Sequence, residues 1–563
     1  MNFLQTHGPV LPVLLPAATA ILLLLLGDVG GSAHGHPKRL AARRIALGSA
    51  LLGLGLAVLL ALQADTGLLA VYRLGDWPAP FGVVLVVDRL AALMLVLTAA
   101  VALPVLLVAS GGWDTHGRYF HALLQFQLMG LNGAFVTGDL FNLFVFFEVL
   151  LVASYVLMLH GGGPERLRVG LHYVVLNLAA SALFLIGAAL VYAMTGTLNL
   201  ADLALRVPQV QGGDAVLLRT AALLLLLVFG FKAALAPLSL WLPATYAAAC
   251  PPVAALFAIM TKVGVYAILR VHGVVFGAAG VGAGAGAGGA AGLVSPAGAD
   301  TALLVAQPLL LPAALATCVI GTLGALVANS LARLMAWLTV ASVGTVLVAV
   351  GLYSVPAWSA ALVYLAHSTL IVAGLFLLAE LLGAQRGEAG GRLVPASPVA
   401  QPTLLGGLLL LAAASCAGLP PLPGFIGKLM LLQAATGSTA WPWVWGVVLI
   451  AGFFTLLALA RAGSLLFWQV RPARLNLSHS GDAAAPGTRP RLLAATVALL
   501  AASVAMSVWA APLMRYTQAA AVQLMDRAAY AAAVLPESGG AAARTTRPYT
   551  GQVSRPGPPE RAP

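Results

Sequence analysis

The sequence predicts an all-α, polytopic membrane protein of about 14 transmembrane helices, arranged as two inverted five-helix repeats whose seventh and twelfth helices are broken. Three observations carry that prediction. Of the 563 residues, 61% are hydrophobic and 8% charged, against about 25% charged in an ordinary soluble domain. Apolar runs near 20 residues recur along the chain, long enough to cross a hydrocarbon core of about 30 Å at about 1.5 Å per residue. Prolines interrupt two of the runs, Pro237 one of them and Pro420, Pro421 and Pro423 the other.

Residues 1–118 hold helices beginning near Val10, Ile45 and Leu85. No basic residue precedes the first run and no convincing small-residue cleavage site follows it, so it is expected to stay as a membrane helix. Residues 119–276 hold five more, beginning near Phe120, Leu140, Gly170, Leu217 and Pro252. Residues 277–300 are rich in Gly and Ala. Without the strand-then-helix context of a nucleotide loop, they read as a flexible linker. Residues 301–467 hold a second set of five, near Ala302, Leu334, Ala360, Leu404 and Trp445. Residues 468–515 supply a loop and a last helix near Leu492, and 516–563 read as a polar, Arg/Pro-rich tail, largely disordered. Five is odd, so two five-helix units take opposite orientations in the membrane, as in transporters built from inverted repeats.

Loops after odd-numbered helices carry most of the short-loop basic residues, among them Lys38, Arg39, Arg43, Arg44, Arg166, Arg168, Arg386, Arg392, Arg471 and Arg474. Arg73, Arg89, Arg206, Arg219 and Arg270 fall after even-numbered ones. Positive charge is retained on the cytoplasmic side, which puts the odd loops there and both termini outside. The net charge of +12 is thus mainly a topology signal, with contact to anionic membrane lipid second; nucleic acid is not an expected partner. Cys250, Cys318 and Cys416 are far apart and no CxxC pair occurs. No cofactor, metal or disulfide framework is expected.

Of only four lysines, Lys232, Lys262 and Lys428 lie inside apolar stretches. A charge at the bilayer centre costs roughly 2.5–3.5 kcal/mol on insertion scales and commonly marks an ion or proton path. Elsewhere the chain uses mostly arginine, which does not release its proton. Glu148 lies about eight residues into its helix, roughly 12 Å deep, and Lys262 about 11 residues in, roughly 16 Å deep. Phe144 and Tyr155 share the Glu148 face, and Tyr266 follows Lys262 by one turn. Pro237 follows Lys232 and removes a backbone hydrogen bond. Pro420, Pro421, Pro423 and Gly424 interrupt the helix just before Lys428. Broken helices at membrane depth need protein or water to satisfy their freed carbonyls, so a hydrated interior is expected at both breaks.

His367, with Tyr364, Ser368 and Thr369 nearby, is of a residue type suited to proton relay. Tyr173, Asn177 and Ser181 form a polar stripe on the sixth helix, and Ser342 and Thr345 add hydroxyls on the tenth. In such a series burial disfavours a lysine's charge while a nearby carboxylate favours it, so moving the carboxylate or wetting the cavity loads or unloads a proton. Plainer readings stand beside these. One buried lysine alone can snorkel or form a structural ion pair. His367 alone fits a helix-to-helix hydrogen bond, Glu380 a solvated or interfacial place, Asp139 an N-cap, and the polar stripes packing.

The runs LMGLNGAFVTGDLFNLFVFFEVLLVASYVLM around Glu148, FGFKAALAPLSLWLPATYAAACPPVAALFAIMTKVGVYAILRV around Lys232 and Lys262, and AGLPPLPGFIGK ending at Lys428 resemble the D-type subunit of the Mrp-type multisubunit cation/proton antiporters. That family is itself similar to the antiporter-like proton-pumping subunits of respiratory complex I. The resemblance covers roughly residues 1–515. It implies a coupled pair Glu148 and Lys232, central relay groups Lys262 and His367, and Lys428 as the terminal proton-exchanging lysine. Two departures stand out: NSLARLMAW keeps only Arg333 of a more highly charged stretch usual there, and Pro423 stands where a small polar residue is usual. The expected function is a membrane subunit of a Na⁺ or K⁺/proton antiporter in a bacterial inner membrane, a secondary transporter subunit with no enzymatic catalytic residue. Its expected partners are other subunits of the complex, monovalent cations, protons and lipid. The alternatives are a proton-pumping subunit of a complex I-like or hydrogenase redox complex, and a scaffold without transport, which has no use for three buried lysines.

Overall fold

The computed structural model describes residues 6–27, 37–77, 79–277, 302–470 and 489–535. The Gly/Ala-rich stretch from 278, Arg471, Arg474 and the tail from 536 lie outside them. Helices α1 (Leu11–Leu26) and α2 (Pro37–Asp65) lead into an antiparallel hairpin, β1 (Ala70–Arg73) with β2 (Val84–Val87). This departs from the all-α expectation. The run at Val84–Val87 is short and rich in β-branched residues, which favours a strand; in the sequence it reads as the start of the third helix. That helix, α3 (Arg89–Ala109), begins only after Asp88, whose side chain accepts from the Ala91 N–H at 2.8 Å.

There follow α4 (Phe120–Val136), α5 (Leu140–Met158) and α6 (Pro164–Thr195). Asp139 caps α5, accepting from the Asn142 N–H at 2.8 Å. A short helix, Leu200–Arg206, precedes α7 (Gly213–Ala233), α8 (Trp241–Ala248) and α9 (Pro251–Ala267), which continues in π-helical form to Val275. The second half comprises α10 (Gln307–Val327), α11 (Leu331–Gly351), α12 (Val355–Ala384), α13 (Pro402–Ala417), α14 (Pro423–Ala435) and α15 (Trp441–Phe467). Helices α16 (Pro490–Val508), α17 (Ala510–Met525) and α18 (Arg527–Val534) close the described chain. Among the described residues, 11 helical stretches are long and apolar enough to cross a membrane, with α7 and α8 taken as one. α2 begins at Pro37, well before the expected Ile45, because its first two turns carry Lys38, Arg39, Arg43 and Arg44 and hide the helix from a hydropathy reading.

Helices α9 and α12 form the axis. Their apolar windows are wholly enclosed and that of α11 nearly so, whereas α2, α15 and α16 leave most of theirs uncovered. A helix apolar all round is a core or membrane helix, and only packing tells which. Gly264 sets the central approach: a Cβ there would lie 2.5 Å from the Ala233 nitrogen, so the glycine lets α9 press against the end of α7.

Two charge assignments change. Arg270, counted with the loop arginines, is buried in the π-helical end of α9 and forms a two-pronged ion pair with Asp88, Nη1 to Oδ2 at 2.6 Å and Nη2 to Oδ1 at 2.8 Å. Residues 516–525 and 527–534, expected in the tail, are helical, with Asp526 between the two helices. On α17, Thr517, Ala520, Ala521 and Leu524 are buried at one-face spacing, and Tyr516 donates to the Arg89 carbonyl at 2.9 Å. On α18, Arg527 donates to the Gly277 and Ala204 carbonyls at 2.5 and 2.6 Å. Arg73, on the hairpin, donates to the Val534 carbonyl at 3.0 Å.

Candidate functional site

α7 ends at Ala233 because Ala234 turns left-handed, with φ of 61°, and Pro237 follows without an N–H. Lys232 stands in that last turn. Its Nζ donates to Asn177 Oδ1 at 2.9 Å and lies 5.9 Å from the Phe147 ring centre. Glu148, on α5, accepts from the Ser181 hydroxyl. Among the described residues no ion pair joins Glu148 to Lys232. Asn177 and Ser181 are one turn apart on α6, so acid and lysine meet through that helix. The polar stripe is therefore the connector between them. Its third member, Tyr173, shares a 2.9 Å hydrogen bond with Ser154 and accepts at its carbonyl from Asn177 Nδ2 at 2.8 Å. The Tyr155 hydroxyl, on the Glu148 face, is buried without a partner among the described residues.

Lys262 lies at the centre of α9, fully enclosed, with Nζ 3.3 Å from Thr261 Oγ1 and no carboxylate at ion-pair distance among the described residues. Tyr266, one turn on, does not serve it. The Tyr266 hydroxyl donates to the Phe135 carbonyl at 2.6 Å and accepts from Arg270 Nε at 3.2 Å, tying α9 to α4 and to the buried Asp88–Arg270 pair.

At the second break, α13 ends at Ala417, followed by Gly418 with φ of 87°, and Pro423 opens α14 in its first turn, where a missing N–H is tolerated. Lys428 reaches back across the break and donates to the Cys416 and Ala417 carbonyls at 3.1 and 2.8 Å. These are among the unpaired last carbonyls of α13, at the negative end of its dipole, where a cation is favoured. His367 Nδ1 lies 3.0 Å from Ser503 Oγ on α16, and its ring 5.7 Å from that of Tyr364. A Cβ at Gly424 would meet the Ser415 carbonyl at 1.9 Å and His367 Nε2 at 3.0 Å. Only glycine lets α14 close on the histidine. Ser342, Thr345, Tyr364, His367, Cys416 and Lys428 line a cavity of about 30 Å³, room for one or two waters.

Sequence reasoning placed the lysines, the histidine and the stripes, but missed several partners. Ser503 is a lone hydroxyl in an apolar helix, a weak signal. His272, in the π-helical segment beyond Lys262, has both ring nitrogens buried and without a partner among the described residues. Asp114, in a turn after α3, is gripped by Arg43 at 2.6 and 2.7 Å and by His121 at 3.0 Å. Burial works against its charge, yet these two neighbours hold its carboxyl well below the usual range. Glu380 lies at the periphery, 3.7 Å from Arg489.

Comparison with known proteins adds a second line of support. The profile of the family described as NADH:quinone oxidoreductase/Mrp antiporter, transmembrane, matches residues 137–283 and 289–455. The probable K⁺/H⁺ antiporter D-type subunit of Rhizobium meliloti is 39% identical, covering 92% of this chain and 96% of that protein. The Na⁺/H⁺ antiporter D-type subunit of Alkalihalophilus pseudofirmus is 33% identical, covering 94% and 99%. Among solved structures, the Mrp complex from Dietzia sp. DQ12-45-1b contains a chain that superposes with a TM-score of 0.79 at 26% identity, covering 95% of this chain and 100% of that one. Respiratory complex I from Thermus thermophilus with bound NADH superposes at 0.70 and 23% identity, covering 92% and 99%, a likeness of fold.

Proposed function

Because the chain belongs to the NADH:quinone oxidoreductase/Mrp antiporter membrane family, we propose that it is the subunit of a multisubunit antiporter that exchanges Na⁺ or K⁺ for protons across a bacterial inner membrane. One observation carries this reading. Ionisable groups are wholly or partly buried at both helix breaks and between them: half-buried Glu148 and buried Lys232 on α6 side chains, Lys262 on the axis, and buried His367 with half-buried Lys428 around the cavity at the second break. In this mechanism Glu148 controls the proton on Lys232 through Ser181 and Asn177, Lys262 and His367 pass it along, and Lys428 exchanges it. The redox-pump alternative has a shared fold in its favour; the more similar sequences, at 39% and 33% identity, carry antiporter names.

The same proposal includes 14 spans and an inverted repeat of residues 119–276 and 301–467, preceded by residues 1–118 and followed by a last span. A single numerical offset relates Gly130, Gly133, Asp139, Ser154 and Tyr173 to Gly321, Gly324, Ser330, Thr345 and Tyr364. The roles correspond too. Gly130 faces the Leu150 backbone as Gly321 faces that of Ala341, and Asp139 and Ser330 each cap the next helix. Both termini are proposed to lie outside.

The test is cation-dependent proton flux in everted vesicles carrying the whole complex. Arginine keeps the charge of Lys428 but does not release a proton at physiological pH, so Lys428→Arg should abolish exchange with the protein still in the membrane. Normal flux in that variant would reduce Lys428 to a structural charge.

A further inference from the structure

Another cavity lies among α1, α2, α3 and α4, away from the lysine series. It is about 30 Å³ in size, and its polar lining comes from Ser49, Thr98, Gln125 and Asn132. Its chemistry starts with Pro16, inside α1, which has no N–H to give to the Pro12 carbonyl one turn back. Asn132 Nδ2 replaces it, donating to Pro12 O at 2.8 Å. That leaves Asn132 Oδ1 buried without a partner among the described residues.

The other lining groups also direct hydrogens elsewhere. The Thr98 hydroxyl donates to the Met94 carbonyl at 2.7 Å, the Ser49 hydroxyl to Gln125 Oε1 at 3.5 Å while accepting from the Thr19 hydroxyl at 2.9 Å, which leaves Ser49 Oγ one lone pair, and Gln125 Nε2 to the Ala46 carbonyl at 3.3 Å. The lining retains lone pairs on neutral oxygens, from three different helices. His121, one turn before Gln125 on α4, belongs to the Arg43–Asp114–His121 cluster, where guanidinium and carboxylate are paired. Among the described residues no group of three His, Cys, Asp or Glu competes as a metal site.

We propose that this cavity binds a dehydrated alkali cation, coordinated by Ser49 Oγ, Thr98 Oγ1 and Asn132 Oδ1. Hard cations take oxygen ligands, and neutral ones hold an ion loosely enough for it to leave, as passage requires. The site deepens the antiport reading, on which it rests for its ligand, by giving the cation a place apart from the proton groups.

The experiment measures retention of ²²Na⁺ and of ⁸⁶Rb⁺ by the purified whole complex, together with exchange in vesicles. Wild type and Lys428→Arg should both retain one of the ions saturably, although the latter exchanges nothing. Thr98→Val keeps the shape and loses the oxygen; it should raise the half-saturating concentration about tenfold, the effect of roughly one ligand, and Thr98→Ser should restore it. Should Thr98→Val fail to assemble, Ser49→Ala reads the same ligand set. Retention unaffected by these variants overturns the site while antiport stands. No retention in wild type means that the cavity holds water only, and also overturns it. Retention that responds to Thr98→Val, in a complex that exchanges nothing, upholds the site and removes the antiport reading.

Discussion

Lys232 and Lys428 stand at two breaks of the same kind and are held in different ways. Lys232 lies in the last turn of the half-helix that precedes its break and is held by a side chain, Asn177, one turn on α6 from the Ser181 that donates to Glu148. Lys428 lies beyond its break and is held by main-chain carbonyls, with no carboxylate at ion-pair distance among the described residues. A side-chain partner can swing or change its own protonation; a carbonyl at a helix end does neither. The first site is therefore suited to switching and the second to holding a lysine in one place while its surroundings hydrate.

The strongest way to break this comparison is to remove the switch. Glu148→Gln and Lys232→Met should each lower cation-dependent proton flux by about a hundredfold, the scale of a lost proton-transfer group. The double variant should be no worse than either, since residues acting as a unit are non-additive. Strictly additive losses would show that α6 does not couple them. Next in size is Gly424→Ala, where the added carbon meets backbone. It should cost about 1–3 kcal/mol, read as reduced complex in the membrane, and an unchanged amount would mean that α14 has room to move. Asn177→Leu should lower flux about tenfold by removing the Lys232 acceptor, whereas no side-chain substitution can remove the carbonyls that hold Lys428. Equal tolerance of Asn177→Leu and Ser503→Ala would erase the distinction. Glu148→Asp, one methylene shorter, should retain partial flux, within about threefold of wild type by the loss of one well-placed hydrogen bond.

The lysines, His367 and the two proline clusters were legible because each violates the apolar background around it. A stripe such as Tyr173, Asn177 and Ser181 followed from helical spacing. Partners across helices were not, because no local pattern says which helix α5 faces. Asn177 stood out as polar, but its choice of Lys232, like Ser503 choosing His367, depends on packing. Arg270 misled because hydropathy counts a charge as loop whether or not an Asp88 waits inside. The hairpin was hidden in an apolar run that reads equally as a helix start. α17 hid in the opposite way: its small and polar residues looked like tail, although their spacing already marked one buried face.

The contacts of α17 and α18 bear on how the protein is made. Arg527 and Val534, among the last described residues, close hydrogen bonds with Gly277, Ala204 and Arg73, and Tyr516 does so with Arg89. Segments that leave the ribosome early thus wait for partners translated hundreds of residues later. A nascent or prematurely ended chain would present open carbonyls and an unfinished edge at that end of the bundle.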